Sequence, residues 1–132
     1  MFGEKIQMTK EQFSEICARI SAISPYIRFV GIIGRDGKLL AYQRRRGLKP
    51  LLGAKDTKSQ FSHISTKNEM ESKFDRRLGR VEFVWEERKK VQTISFAIKR
   101  HRVWVSIEKK VIRSEILRII DSCLPIVRNY SS

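Results

Sequence analysis

Three compact groups of basic side chains are the residues of this sequence best suited to chemistry, and that chemistry would be the binding of anions. Clustered Lys and Arg neutralise phosphates or carboxylates, so they favour a nucleic acid or an acidic protein as partner. The alternative is that such charge runs only solvate the surface. The candidate anion-binding residues are Arg44, Arg45, Arg46, Arg88, Lys89, Lys90, Lys99, Arg100 and Arg102.

The chain as a whole is strongly basic, and its excess charge is concentrated. The 132 residues include 28 Lys and Arg against 14 Asp and Glu, a formal charge of +14. Residues 35–55 and 78–110 together carry eleven of the fourteen excess charges. A hydrophobic share of 41% is enough for a real core, which excludes general disorder. At this length we expect a single domain over residues 1–132.

Residues that could form a catalytic or metal centre are few. The cysteines Cys17 and Cys123 are single, without the paired spacing of a zinc site. The histidines His63 and His101 are also single, and neither stands with a nucleophile in a recognisable arrangement. We therefore expect no enzyme activity, no metal and no cofactor. The arginines on both sides of His101 should disfavour its protonation.

The two cysteines fall on apolar helix stripes, which favours core packing of small thiols. A disulfide between them would need close Cα atoms and an oxidising setting.

A glycine-containing stretch at 31–39 resembles a phosphate-binding loop only superficially. Its glycine spacing is one residue too long, and Leu39 stands where a magnesium-binding Ser or Thr would be. The stretch also leads into a strand, so no helix N-terminus would face a phosphate. Asp36-Gly37 supplies the backbone angles of a tight turn, and we predict a β-hairpin there.

Apolar periodicity predicts the elements that position these residues. The first helix follows Thr9, whose pairing with Gln12 fits a capping box, and it ends before Pro25. Short runs of β-branched and aromatic residues then predict strands. The predicted strands are 27–33, 38–43, 81–86, 91–98 and 103–107.

Two more helices complete the pattern. One runs from Asp56 or Thr57 to Leu78, and the other is C-terminal, where Pro125 should end or kink it near Leu124. The order is helix, two strands, helix, three strands, helix. Helices grouped against an antiparallel sheet make this an α+β fold.

Trp104 lies out of phase with the apolar positions of the last predicted strand, so it points to the sheet face that we expect the helices to leave uncovered. Large aromatic side chains usually pack in a core or at a dimer interface, which makes Trp104 a candidate interface residue. The alternative is a stacking platform beside Lys99 and Arg102, of the kind that single-stranded nucleic acid binders use.

The element order resembles the roadblock/dynein-light-chain architecture, a relative of the longin and profilin-like folds. Within it, short apolar and turn-forming stretches are similar to a family of small proteins from ammonia-oxidising archaea. These stretches are Ile27–Ile33, Gly47–Leu52, Phe74–Gly79 and the strand-rich tail Val91–Glu108.

The resemblance implies a five-stranded antiparallel sheet of order 2-1-5-4-3 with flanking helices. It also implies a homodimer that serves as a non-enzymatic platform for small GTPases or signalling partners. No GTPase-contacting motif of that architecture can be placed on these residues, so a small GTPase is a partner by fold analogy only.

That strand order has a geometric consequence for the basic clusters. The turns at 35–38 and 99–102 should share one end of the sheet, and residues 44–46 and 88–90 should share the other. We therefore expect two basic poles.

Two functional hypotheses follow. The first is a dimeric, non-enzymatic interaction or regulatory module that binds an acidic partner. The alternative is a nucleic-acid-binding protein of low specificity that uses the clustered Arg and Lys at the sheet ends.

The sequence also predicts a location. The first five residues lack the apolar core of a signal peptide, and no apolar run approaches the roughly 18 residues of a membrane span. We therefore expect a cytoplasmic protein without a transmembrane segment.

Overall fold

A computed structural model describes residues 8–131 of the protein. Helices and strands follow one another there in the predicted order. The elements are α1 (Lys10–Ser21), β1 (Ile27–Ile33), β2 (Leu39–Arg44), α2 (Ala54–Glu71), a 3₁₀ turn (Ser72–Phe74), α3 (Asp75–Leu78), β3 (Phe83–Glu87), β4 (Val91–Ile98), β5 (His101–Glu108) and α4 (Arg113–Ser131).

The five strands form one antiparallel sheet of order β2-β1-β5-β4-β3, which confirms the predicted fold class and strand order. The central strand is β5, which pairs with β1 through Val30↔Val105 and with β4 through Ile94↔Val105. It is longer than predicted because the β4–β5 pairing continues to Ile98↔His101, leaving a two-residue turn in which Lys99 has a φ of 51°. The sheet edges are β2 and β3.

One face of the sheet packs against α1 and α4 and holds the main core. Alternate residues of β5, Val103, Val105 and Ile107, are fully buried there. The apolar stripe of α1 meets them, because its buried positions recur at helical spacing. Thr9 and Gln12 form the predicted capping box, with Thr9 N donating to Gln12 Oε1 at 2.8 Å and Gln12 N to Thr9 Oγ1 at 3.1 Å.

The opposite face is covered in part by α2. Phe61 and Ser65 are the buried residues of this 18-residue helix, and Phe61 packs beside Phe29, Ile33 and Trp104 in a second, smaller cluster. The expectation that helices leave the Trp104 face open is therefore wrong. Period-two alternation shows which face a residue takes, but it does not show what covers that face.

The α2 helix is also joined to the sheet through the β1–β2 turn. Gly37 has a φ of 85°, and Gly37 N donates to Gly34 O at 3.0 Å, so the predicted hairpin is confirmed. A Cβ atom at Gly37 would lie 2.9 Å from Ser62 Cα of α2. Only glycine therefore lets this turn touch the helix.

The second predicted helix is interrupted. It begins at Ala54, ends at Glu71, and continues as the 3₁₀ turn and the four-residue α3. No residue of those last two segments is buried, so no packing holds them in a regular helix. Gly79, with a φ of 84°, ends α3 as predicted.

Pro125 does not end the C-terminal helix, which runs on to Ser131. Proline costs a helix one backbone hydrogen bond. Beyond it, however, Val127 is buried in the core, and Tyr130 Oη donates a hydrogen bond to the carboxylate of Glu15 on α1. These contacts hold the final turns in place. None of the helices described is both long and apolar enough to cross a membrane.

Candidate functional site

The N-terminal half of α2 and the loop before it border an open cavity of about 490 Å³ against the sheet. Phe29 of β1, Phe61 of α2 and Trp104 of β5 form its aromatic wall. The ring centroid of Trp104 lies 5.4 Å from that of Phe61 and 5.9 Å from that of Phe29. Leu51 and Leu52 of the loop also line the cavity, although both side chains remain exposed. The interior is therefore largely apolar.

Five cationic side chains line the same cavity, and no acidic side chain does. Although β2 and β3 are opposite edges of the sheet, the long side chains that follow them reach the space under α2. We call this space the basic-rimmed cavity. Its cations are Arg28 of β1, Arg44 at the end of β2, and Arg88, Lys89 and Lys90 of the β3–β4 turn.

Arg28 is held by hydrogen bonds, and Arg44 contacts an aromatic ring. Arg28 Nη1 donates to Glu108 Oε2 at 3.4 Å, and Arg28 Nη2 donates to the Lys49 carbonyl oxygen at 3.2 Å, which ties the loop to the sheet. The guanidinium carbon of Arg44 lies 5.5 Å from the Phe29 ring centroid, within cation–π distance. The positive rim thus sits directly on the aromatic wall.

The Arg44–Arg46 cluster does not act as a unit. Arg45 donates to the Glu108 carboxylate and, through Nη1, to the Pro25 carbonyl oxygen at 3.3 Å. The hydrogen bond from Arg45, followed by the charges of Arg45 and Arg28, lowers the pKa of Glu108 against the opposing effect of burial. Arg46 is exposed and does not line the basic-rimmed cavity. The structure therefore brings Arg44, rather than the whole triplet, beside Arg88, Lys89 and Lys90.

A second cavity, of about 560 Å³, lies under the C-terminal half of α2 at the opposite end of the sheet. The structure brings the turns at 35–38 and 99–102 together here, as the strand order requires. Carboxylates share the space with the cations, so this end has mixed charge. The charged residues lining it are Arg35, Arg80, Lys99, Arg100, Arg102, Glu69, Glu71 and Asp75.

Arg102, predicted to be part of a basic surface, is buried, with an exposed fraction of 5%. It belongs to the β5 face that α2 covers. Its Nη2 donates to Ser95 Oγ at 2.9 Å and its Nη1 to Asn68 Oδ1 at 3.3 Å. Burial, followed by the charge of Arg80, lowers the pKa of Arg102 to about 10.

The cysteines and His101 show no arrangement for catalysis. Burial raises the pKa of both Cys17 and Cys123 to about 12, so both thiols stay neutral near pH 7, and both are free. Burial, and then the charge of Arg35, lowers the pKa of His101. The predicted direction is confirmed, but its main cause is burial, and the charge that contributes is that of Arg35 rather than of the flanking Arg100 and Arg102. The Phe13 ring lies 5.3 Å from the His101 ring, edge to face. Within residues 8–131 no group of three His, Cys, Asp or Glu could hold a metal ion.

Sequence reasoning missed several residues of the basic-rimmed cavity, among them Arg28, Phe29 and Phe61 and the loop leucines Leu51 and Leu52. Arg28 interrupts the apolar run of β1, and that interruption was a signal that one position faces something charged. Phe29 and Phe61 lie in a predicted strand and a predicted helix, where an aromatic residue indicates no more than packing. Nothing local shows that two such rings from distant segments meet Trp104, because the contact depends on where α2 lies.

Solved structures with this fold include three bacterial proteins. The gliding protein MglB of Thermus thermophilus is 10% identical, covers 96% of this chain and 93% of its own, and superposes with a TM-score of 0.68. The Roadblock/LC7 domain from Streptomyces avermitilis is 12% identical over 89% and 95%, with a TM-score of 0.61. MglC from Myxococcus xanthus is 12% identical over 89% and 98%, with a TM-score of 0.58. The chain therefore has the roadblock/LC7-like longin fold.

Similarity is also found at the level of sequence. A family model described as "Family of unknown function (DUF6659)" matches residues 6–124. No curated protein matches the sequence.

Proposed function

We propose that this chain, which belongs to the DUF6659 family, is a single roadblock-like domain over residues 1–132 that acts as a non-enzymatic regulatory module and binds an acidic partner. The observation that carries the proposal is the basic-rimmed cavity, which is lined by five cationic side chains and by no acidic one. Three of them, Arg88, Lys89 and Lys90, are exposed on one short turn. Such a surface attracts and orients an acidic surface.

An acidic protein is our preferred partner. One of the similar solved structures is that of MglB in a tetrameric arrangement, which supports a role in assembly for this chain. Both cysteine thiols are buried and neutral near pH 7, so neither is poised as a nucleophile. A small GTPase as partner rests on the fold alone.

We also propose that the protein is a homodimer. The edge strand β3 presents backbone groups that can pair with a second strand, and its Phe83 is 39% exposed. Light scattering after size-exclusion chromatography tests this directly. A dimer at micromolar concentration is expected, and a monomer would contradict the proposal.

The partner surface is tested with the charge reversal Lys89→Glu plus Lys90→Glu. Its matched control is Arg76→Glu plus Arg77→Glu, which changes the net charge equally at exposed positions of α3. Fluorescence anisotropy with a labelled poly-glutamate peptide should show binding that weakens as salt rises. We expect the first double variant to weaken it roughly tenfold and the control much less. Equal losses in both variants would show attraction by net charge alone and would contradict the proposal.

A nucleic acid is the second candidate partner, and the aromatic wall beside the cations favours it. Base stacking on Trp104 next to Arg44 and Lys89 would combine the two interactions that single-strand binders use. The same titration with single-stranded DNA of matched charge decides between the two. Tighter binding of DNA than of the peptide, lost in the Lys89/Lys90 variant, would favour the nucleic acid.

A further inference from the structure

The basic-rimmed cavity combines two features that a simple solvated surface does not need together. Its interior is lined by Trp104, by parts of the Phe29 and Phe61 rings, which are only 7% and 3% exposed, and by apolar side chains of the 48–52 loop. Leu51 and Leu52 are 56% and 42% exposed. Exposed apolar surface in a concave site costs free energy until something covers it.

The volume matches a small molecule. Ligand pockets typically enclose about 300–1,000 Å³ and have mostly apolar walls with a few placed polar groups. The cavity measures about 490 Å³, and Thr57, Gln60, Thr93 and Ser106 add polar groups to its lining. Both the size and the wall chemistry are those of a site for one compact, apolar molecule.

The cations at the rim indicate which charged group such a ligand would carry. Among residues 8–131, Arg44, Arg88, Lys89 and Lys90 have no carboxylate within 4.0 Å in an ion pair, whereas Arg28 is already paired with Glu108. Four cations at the edge of an apolar space are therefore free to bind an anion. The cavity at the opposite end of the sheet is lined by three carboxylates beside its cations, so its charged groups are not all positive.

We propose that the basic-rimmed cavity binds a small amphiphilic anion, with an apolar or aromatic body against Phe29, Phe61 and Trp104 and a carboxylate, sulfonate or phosphate head at the rim. Leu51 and Leu52 contact the body at the edge of the site. The ligand site rests on the proposed function in one respect, since the acidic head uses the same Lys89 and Lys90 as the acidic partner. A bound ligand would then reduce partner binding.

The experiment uses two fluorescent probes with the same body. 1-Anilinonaphthalene-8-sulfonate carries the anionic head, and N-phenyl-1-naphthylamine lacks it. We expect saturable binding of the sulfonate, one per chain, and roughly tenfold weaker binding of the neutral probe. Inorganic sulfate alone should not displace the bound probe, because it lacks the apolar body. Near-ultraviolet circular dichroism confirms that each protein is folded, since loosely packed states also bind the sulfonate.

Two pairs of variants locate the site. Lys89→Glu plus Lys90→Glu should weaken the sulfonate roughly tenfold and leave the neutral probe unchanged, whereas Arg76→Glu plus Arg77→Glu should change neither. Leu51→Ser should weaken both probes several-fold, and its control Leu117→Ser, a similarly exposed leucine of α4, should not. All of these substitutions alter exposed side chains, so folding is expected to survive.

Three outcomes would overturn the ligand site. The first is equal binding of both probes. The second is probe binding that the Lys89/Lys90 and Leu51 variants do not affect. The third is adsorption of the protein to phosphatidylglycerol vesicles without saturable probe binding, which would indicate a membrane-binding surface instead. If the poly-glutamate peptide binds and the sulfonate does not, the ligand site is wrong and the proposed function stands. If the sulfonate binds and the peptide does not, the proposed function is wrong and the ligand site stands.

Discussion

Phe61 of α2 meets Trp104 of β5 edge to face, with ring centroids 5.4 Å apart and ring planes at 70°. This contact joins a sparsely buried helix to the central strand of the sheet. It also forms part of the wall of the basic-rimmed cavity. The same aromatic pair therefore contributes both to the position of α2 and to the shape of the candidate site.

Truncating that contact should loosen α2. Phe61→Ala is expected to lower the free energy of unfolding by about 3 kcal/mol, because it leaves a hole among buried rings. Met70→Ala, on the same helix but 59% exposed, should change it by less than about 0.5 kcal/mol. Urea unfolding measures both values. Equal losses would show that the Phe61–Trp104 contact is not what anchors the helix.

The β1–β2 turn should tolerate no side chain at its glycine. Gly37→Ala forces a residue at a φ of 85° and places its Cβ 2.9 Å from the α2 backbone. We expect a loss of about 2 kcal/mol or more in unfolding free energy. Gly47→Ala is the control, because Gly47 has a φ of 74° with open space around it and should lose about 1 kcal/mol from backbone strain alone. A larger loss at Gly47 would contradict the close approach of turn and helix.

Glu108 should matter more than an ordinary surface carboxylate, because it accepts from both Arg28 and Arg45. Glu108→Gln leaves the largely buried Arg28 guanidinium without its counter-charge, and we expect about 2 kcal/mol of destabilisation at pH 7. The folded-state pKa of Glu108 is lowered, so its contribution is present above its ordinary pKa and is lost as pH falls through the lower folded value. Urea midpoints from pH 7 to acid should therefore converge for the wild type and the variant. Glu115→Gln, in an exposed pair with Arg118, should have a smaller effect.

The buried thiols should make the protein sensitive to alkali. The pKa of Cys17 and of Cys123 rises from an ordinary 9.0 to about 12 on folding. The unfolded chain therefore loses these protons first, so the stability contributed by the neutral thiols is complete below pH 9 and declines as pH rises toward 12. Each thiol contributes up to about 1.4 kcal/mol per pH unit in that range. Cys17→Ala plus Cys123→Ala should flatten the decline in urea midpoint between about pH 8 and about pH 11. An unchanged slope would mean that other groups cause it.

Much of the fold could be read from local patterns. The strands Ile27–Ile33 and Val91–Ile98 have the predicted bounds, and the capping box of α1 forms as predicted. These features depend on neighbours within a few residues, which the sequence displays directly. The strand order came from a resemblance of the whole element order, and the sheet confirms it. The cytoplasmic location and the likeness to an archaeal family stay predictions.

The amino-acid sequence by itself determined the elements, the α+β class and the segments that hold the excess charge, because these depend on residue type and short-range spacing. Only the tertiary structure decided what that charge does. Arg44 reaches the aromatic wall, its neighbour Arg45 pairs with Glu108, and Arg102 is buried beneath α2. Successive residues of a strand point to opposite faces, so adjacent arginines in the chain enter different surroundings. What covers each face is set by long-range packing, above all by Phe61 against Trp104, which no local pattern encodes.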